Sequence, residues 1–381
     1  MTTASPPQTQ INSVIALYSN GRIKEALNRV EALIKDYPNE ALLYNISGVC
    51  YKAIDKLDAA VESFEKALAI KPDYTEVCFN LGVTLKELGQ PDTAVKCYKK
   101  AITLKPDYTD AHYNLGNAFK ELGQLEDAAK SYEQALTFKP DHANAHNNLG
   151  NTLSDLGQLE DAVKSYKKAV AVKPDYAEAH NNLGVTLKDL DQLDAAIKCY
   201  EKALTLKPDY AEAHNNLGNA FKELGQLDAA LKCYKKAVAL KPDFAESYHN
   251  RGDALLNFKR MDEALASYES AIALDPDLDY LLGSSLHTKM HLGIWDNLAS
   301  RLNELMNKID NGKKVISPFP VLSLTDDPKI QRKTAEIYAN DKYPQNNFLP
   351  KIGRYPKHKK IRIGYFSADF RDHPVSHLTA E

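Results

Sequence analysis

Six asparagines recur at intervals of 34 residues in this chain of 381 residues, and their amide groups are its most regular set of candidate ligand-binding side chains. Each amide offers N–H donors and a carbonyl acceptor, so a row of them can hold the backbone of an extended peptide without reading its side chains. Asparagine is a mediocre helix former, which favours a functional role for the row. The alternative is that these amides cap local backbone and face water. The six residues are Asn80, Asn114, Asn148, Asn182, Asn216 and Asn250.

A second row with the same period is acidic. Its carboxylates would favour a ligand that carries lysine or arginine, because opposite charges attract within a groove. The residues of this row are Glu87, Glu121, Asp155, Asp189 and Glu223.

The elements that position both rows follow from a strict 34-residue period. In one unit, Gly116, Ala128 and Tyr132 hold offsets that recur in the other units. The small residues would let two helices approach closely, and the tyrosine would fill the space beside them. The period is marked by Pro38, Pro72, Pro106, Pro140, Pro174, Pro208, Pro242 and Pro276.

This combination of period and offsets resembles the tetratricopeptide repeat family over residues 40–276. The resemblance implies an all-α fold, a right-handed superhelix of paired helices whose first helices line the concave face. Within one unit, Asp107 is expected to cap the first helix and Gly123 to turn the chain with a positive φ. The second helix is expected to run from Leu125 to just before Pro140.

The chain divides into five predicted parts. A degenerate repeat forms an N-terminal cap, seven repeats follow, and a helical bridge leads through a linker to a strand pattern that would begin a further domain. In the bridge, helices are expected over 280–292, 295–309 and 326–341, with an extended apolar segment over 315–324. The five parts are residues 1–40, 41–278, 279–342, 343–360 and 361–381.

Composition and spacing argue against several classes of function. The net charge of -3 shows no global bias toward nucleic acid, and no apolar run approaches the ~20 residues that span a bilayer. The first ten residues are polar and lack the core of a signal peptide, so we expect a cytoplasmic protein. The basic segment 351–362 is interpreted as a solvated linker, with phosphate contact as the alternative.

We predict no metal site. One column of histidines has the repeat period, but equivalent positions in stacked units lie roughly 10 Å apart, which is too far for ligands of one ion. The scattered cysteines are interpreted as packing residues. The histidine column consists of His112, His146, His180 and His214.

The C-terminal residues carry a second resemblance. Segment 361–377 reads Ile-Arg-Ile-Gly-Tyr-Phe-Ser-Ala-Asp-Phe-Arg-Asp-His-Pro-Val-Ser-His and is similar to the O-GlcNAc transferase family, which includes SPINDLY-like enzymes. Segments 287–290 and 318–320 of the bridge resemble the same family. The resemblance implies the start of a truncated GT-B glycosyltransferase domain, an α/β fold. His373 would then be a candidate catalytic base, with His377 and Asp369 supporting the same turn.

Two functions are therefore compatible with the sequence. The first is the target-recognition superhelix of a protein O-glycosyltransferase whose full-length form uses UDP-GlcNAc, or GDP-fucose, as donor. These residues lack the donor-binding half, so we expect no cofactor and no turnover from them alone. The second is a non-catalytic scaffold that assembles proteins. In both, the partners are protein segments in the groove, with no nucleic acid and no membrane, and a homodimer is possible within the family.

Overall fold

The computed structural model describes residues 6–343, and every regular element in that range is a helix. The twenty helices of the described residues are α1 Gln8–Ser19, α2 Ile23–Asp36, α3 Ala41–Ala53, α4 Leu57–Ile70, α5 Thr75–Glu87, α6 Pro91–Leu104, α7 Thr109–Glu121, α8 Leu125–Phe138, α9 Ala143–Asp155, α10 Leu159–Val172, α11 Ala177–Asp189, α12 Leu193–Leu206, α13 Ala211–Glu223, α14 Leu227–Leu240, α15 Ala245–Asn257, α16 Met261–Leu274, α17 Leu281–His291, α18 Leu298–Asp310, α19 Pro318–Val321 and α20 Pro328–Lys342.

Helices α1 to α16 form eight hairpins that stack into a solenoid. Each odd-numbered helix packs against its even-numbered partner and against the helix that precedes it in the chain. The odd-numbered helices also contact one another from α1 to α15, whereas the even-numbered helices make no comparable contact with each other. The odd-numbered helices are therefore the more closely spaced inner row, which is the concave side of a curved stack. The predicted all-α solenoid is confirmed for residues 6–343; the predicted strand after Ile361 lies outside them.

Close approach within each of the seven hairpins from α3–α4 to α15–α16 depends on glycine. A Cβ atom added to Gly116 would lie 2.6 Å from Cε1 of Tyr132, a ring that is fully buried. Every repeat shows the same contact, with Gly48 against Phe64 in the first one. The predicted packing role of the small residues is confirmed, because any side chain at this position would separate the two helices.

The turn inside each hairpin has the predicted backbone. Gly123 has a φ of +71°, and three units without glycine there place Asp55, Asp191 and Lys259 at +58° to +59°. The predicted helix cap, however, is wrong. Helix α7 begins at Thr109 with Tyr108 as its N-cap and without a side-chain cap, so Asp107 lies one residue outside the cap position. The Lys-Pro-Asp sequence forms the turn that leaves the preceding helix.

Helices α17 to α20 pack around a separate apolar cluster that includes Leu286, Leu305, Ile309, Val315 and Ile316. Two predictions for this bridge need correction. Residues 318–321 form the short helix α19 and not an extended segment, because proline fits the first turn of a helix. Helix α18 starts at Leu298, later than predicted, because Asn297 has a φ of +56°.

Among the described residues, no helix combines the length and the apolar character needed to cross a membrane.

Candidate functional site

The six predicted asparagines lie one on each of the inner-row helices α5, α7, α9, α11, α13 and α15, and all are partly buried. We call this set the amide column. Five of its members donate a hydrogen bond from Nδ2 to a side chain of the preceding repeat. The acceptors are Asn45 for Asn80 (3.2 Å), Tyr113 and Asn117 for Asn148 (3.1 and 3.0 Å), Asn147 and Asn151 for Asn182 (3.3 and 3.1 Å), Asn181 for Asn216 (3.1 Å) and Asn215 for Asn250 (3.1 Å).

These hydrogen bonds connect five of the six amides to the preceding repeat along the inner row of helices. A primary amide has two N–H groups and one carbonyl. Asn80, Asn216 and Asn250 each use one N–H between repeats, which leaves the second N–H and Oδ1 for other partners. Asn148 and Asn182 each donate two such bonds, and their Oδ1 accepts one from the preceding asparagine. In Asn80, Asn216 and Asn250, Oδ1 accepts no hydrogen bond from the described residues. The structure therefore places oriented, partly unused amides on the concave side.

Asn114 interrupts the column. Its Nδ2 donates to the backbone carbonyl of Asp110 at 2.8 Å, inside its own helix. The preceding repeat has Phe79 where other repeats have an amide or hydroxyl acceptor, so there is no side chain for Asn114 to reach. The amide column is thus continuous from Asn148 to Asn250 and broken at the third repeat.

A second set of amides was missed by sequence reasoning. Three of these asparagines directly precede a member of the amide column, and the fourth, Asn45, precedes Ile46 at the equivalent position. All four are 1–8% exposed and accept the bonds described above through Oδ1. The Asn-Asn dipeptides at 147–148, 181–182 and 215–216 were the signal that could have revealed them. The four residues are Asn45, Asn147, Asn181 and Asn215.

A third set of side chains forms hydrogen bonds between the even-numbered helices and the inner row of odd-numbered helices. The buried hydroxyl of Tyr132 donates to Oδ1 of Asn117 at 2.8 Å, and Tyr166 donates to Asn151 at 2.6 Å. The hydroxyl of Tyr98 has no partner among the described residues, because valine occupies the place of the asparagine. The hydroxyl of Tyr200 also has no partner among the described residues, and Val185 occupies the equivalent place there.

The acidic row forms ion pairs between repeats. Each carboxylate lies 3.0–3.7 Å from a lysine Nζ, as in Lys52–Glu87 and Lys120–Asp155. Asp189 pairs with Lys188 of its own helix, because Ser154 replaces the lysine of the preceding repeat. The carboxylates are 42–51% exposed, so such pairs contribute at most about 1 kcal/mol each. The preference of these carboxylates for basic ligands stays a prediction. A lysine of the chain lies beside each carboxylate, so a basic ligand would compete with that lysine.

The histidine column holds the turns between repeats. Nε2 of His146 lies 2.9 Å from the carbonyl oxygen of Pro140, and His112 makes the same contact with Pro106. A carbonyl can only accept, so Nε2 carries the proton. Burial lowers the pKa of His146 and of His180. On the outer face, His146 also lines a groove of about 630 Å³ between α8 and α10.

The candidate catalytic residues His373 and His377 lie outside the described residues, as does the basic segment 351–362. Within residues 6–343, no group of three or more histidine, cysteine or acidic side chains is arranged to hold a metal ion.

Comparisons with known proteins agree with this architecture. A family model described as "TPR repeat" matches residues 84–123, 116–157, 150–191, 186–225 and 218–257. Two models described as "Tetratricopeptide repeat" match residues 12–75 and 245–278. No curated protein matches the chain.

Several solved structures are similar to parts of the chain. MamA is 27% identical over 44% of this chain and 97% of its own, with a TM-score of 0.42. YrrB, described as a TPR protein with an unusual peptide-binding site, is 24% identical over 51% of this chain and 99% of its own, with a TM-score of 0.43. The APC/C hetero-tetramer Cut9–Hcn1 is 18% identical over 64% of this chain and 48% of its own, with a TM-score of 0.49. The chain belongs to the tetratricopeptide repeat family.

Proposed function

We propose that the inner row of helices binds extended segments of other proteins and that the amide column holds the backbone of the ligand. The observation that carries this proposal is the set of inter-repeat hydrogen bonds, which fix the amides from Asn148 to Asn250 in one orientation. Each of these carbonyl oxygens keeps at least one lone pair for a ligand, and Asn216 and Asn250 also keep a free N–H donor. Because the amides are already ordered, binding loses little side-chain entropy.

The spacing of the column suits an extended chain. Helices that pack in this way lie roughly 8–10 Å apart. An extended peptide rises about 3.3 Å per residue, so one amide would meet the ligand about every third residue. Several weak contacts of this kind can add up to useful affinity while tolerating many ligand sequences.

The proposal is tested with random 12-residue peptides displayed on phage and selected on the native chain. Selected peptides are then measured against Asn148/Asn182/Asn216→Ala. Three lost hydrogen bonds of about 0.5–1.5 kcal/mol each should weaken binding at least about tenfold. The variant should also unfold earlier, because the same amides connect repeats.

A matched control separates these two effects. The variant Tyr132/Tyr166/Tyr234→Phe removes three hydrogen bonds between the even-numbered helices and the inner row of helices, and it leaves the amide column in place. It should lose comparable stability and keep its affinity for the peptides. Equal affinity of the amide variant and the native chain would contradict the proposal, and so would a selection that yields no binding peptide.

We further infer that this superhelix is the target-recognition part of a protein O-glycosyltransferase that resembles O-GlcNAc transferase. The support is the resemblance of segments 287–290, 318–320 and 361–377 to that family. In this proposal the full-length protein is cytoplasmic, can pair with a second copy, and transfers sugar from UDP-GlcNAc or GDP-fucose to serine or threonine of the bound segment. His373 would act as the base.

Two experiments test this finer proposal. One is to sequence the gene beyond the codon for Glu381 and look for a nucleotide-sugar domain, and the other is a transfer assay. The full-length protein is incubated with each labelled nucleotide sugar and a target that binds the groove. Incorporation of labelled sugar into the target, together with its loss in the His373→Ala variant, supports the proposal that the full-length protein is a glycosyltransferase. The alternative is a scaffold, which binds the same target and transfers no sugar from either donor.

A further inference from the structure

Two histidines on helix α17 of the bridge lie side by side. His287 and His291 are four residues apart, which places them on one face of the helix. Their Nε2 atoms are 3.3 Å apart, and the two rings are nearly perpendicular, with centroids 4.5 Å apart. Neither Nε2 atom has another hydrogen-bond partner among the described residues.

The separation of the two nitrogen atoms suits one particular coordination geometry. With metal–nitrogen distances of 2.0–2.1 Å, two ligands of a tetrahedral ion are about 3.3 Å apart, and neighbouring ligands of a square-planar ion about 2.9 Å. The observed 3.3 Å matches the tetrahedral value. In the metal-free chain the two Nε2 atoms are hydrogen-bonded to each other, so a bound ion would replace the proton between them. Zn²⁺ is the common divalent ion that prefers this geometry with imidazole ligands.

The pair is also accessible and chemically available. His291 is exposed and His287 is half-buried. Imidazole binds a metal through an unprotonated nitrogen atom, and burial and the neighbouring His291 lower the pKa of His287. The cationic side chain between them in sequence, Lys289, is paired with Glu269 at 2.9 Å.

The histidines of the repeat column, in contrast, cannot form such a pair. Nε2 of His146 is bonded to a backbone carbonyl, and stacked units cannot bring two members of that column together. The prediction of no metal site concerned that histidine column and the scattered cysteines.

We propose that His287 and His291 form a two-ligand site for Zn²⁺ or a similar divalent cation. No third histidine, cysteine or acidic side chain joins them in the part of the chain that the structure describes. Two coordination positions are thus open to water or to a donor group of a bound protein. Such a site binds its ion reversibly and would add a metal-dependent contact at the C-terminal end of the groove-bearing solenoid.

The only tryptophan of the chain reports on this site. Trp295 lies four residues after His291 and is 58% exposed. Ni²⁺ bound at the pair should quench its fluorescence, and Zn²⁺ should reverse the quenching by displacement. Isothermal titration of the full chain with Zn²⁺ gives the affinity independently.

His287→Gln and His291→Gln should each weaken Zn²⁺ and Ni²⁺ binding at least about tenfold, because each removes one of two ligands. His146→Gln is the matched control and should bind as the native chain does. The proposal is overturned if the double variant His287→Gln/His291→Gln binds Zn²⁺ as the native chain does. It is equally overturned if the native chain binds no Zn²⁺ at millimolar concentration.

Discussion

Removal of one hydroxyl group should change stability differently at Tyr132 and at Tyr98. Both side chains are fully buried in equivalent positions of neighbouring repeats, each against a glycine of its own hairpin. The hydroxyl of Tyr132 donates to Asn117 at 2.8 Å. The hydroxyl of Tyr98 has no partner among the described residues, because Val83 holds the position equivalent to Asn117.

The expected difference can be worked out from these contacts. Tyr132→Phe removes a buried hydrogen bond and should lower the free energy of unfolding by about 0.5–1.5 kcal/mol. Tyr98→Phe removes a polar group whose desolvation, about 1–3 kcal/mol, has no compensating bond. It should therefore leave the free energy of unfolding unchanged or raise it. The first repeat already has this combination, with Phe64 opposite Val49.

The measurement should be local, because a solenoid need not unfold in a single step. Hydrogen exchange of backbone amides in α6 and α8, followed by mass spectrometry, reports on the two hairpins separately. A change of 1 kcal/mol alters protection about fivefold. Urea denaturation of the same variants gives a global value for comparison.

A loss of protection in Tyr98→Phe as large as that in Tyr132→Phe would refute the reasoning, since the hydroxyl would then have a partner. Val83→Asn provides a further test by supplying an acceptor. In a double-mutant cycle with Tyr98→Phe, it should reveal a coupling of about 0.5–1.5 kcal/mol.

Three other predictions concern packing, backbone and pH. Gly150→Ala should destabilise the chain by about 1–3 kcal/mol in urea denaturation, because the new Cβ atom would lie 2.7 Å from the ring of Tyr166. Lys259→Gly should stabilise it by about 1 kcal/mol in the same assay, since Lys259 has a φ of +58°. Burial lowers the pKa of His146 and His180, so the unfolded chain binds more protons and stability should fall from pH 7.5 to 5.5. A His146→Gln/His180→Gln variant should show a weaker pH dependence of its melting temperature; an unchanged slope would contradict the assignment.

Repetition made most of the fold predictable. The 34-residue period located the hairpins, and the recurrent glycine at the turn predicted a positive φ that Asp191 and Lys259 also adopt. The period did not predict how the helices begin. Asp107 looked like a cap by residue type, but Pro106 and Asp107 form the turn and Tyr108 is the N-cap of α7.

The sequence by itself determined which residues are equivalent, because equal spacing in a strict repeat places them at equal positions on successive helices. It therefore predicted the solenoid and the row of six asparagines. It did not determine which side chains meet between repeats. Asn182 reaches residues 31 and 35 positions earlier, and Asn114 reaches none, because such contacts depend on the distance and angle at which helices pack and on the one side chain opposite. Only the tertiary structure showed that the amide column shares its donors with the preceding repeats, and that His287 and His291 meet at 3.3 Å.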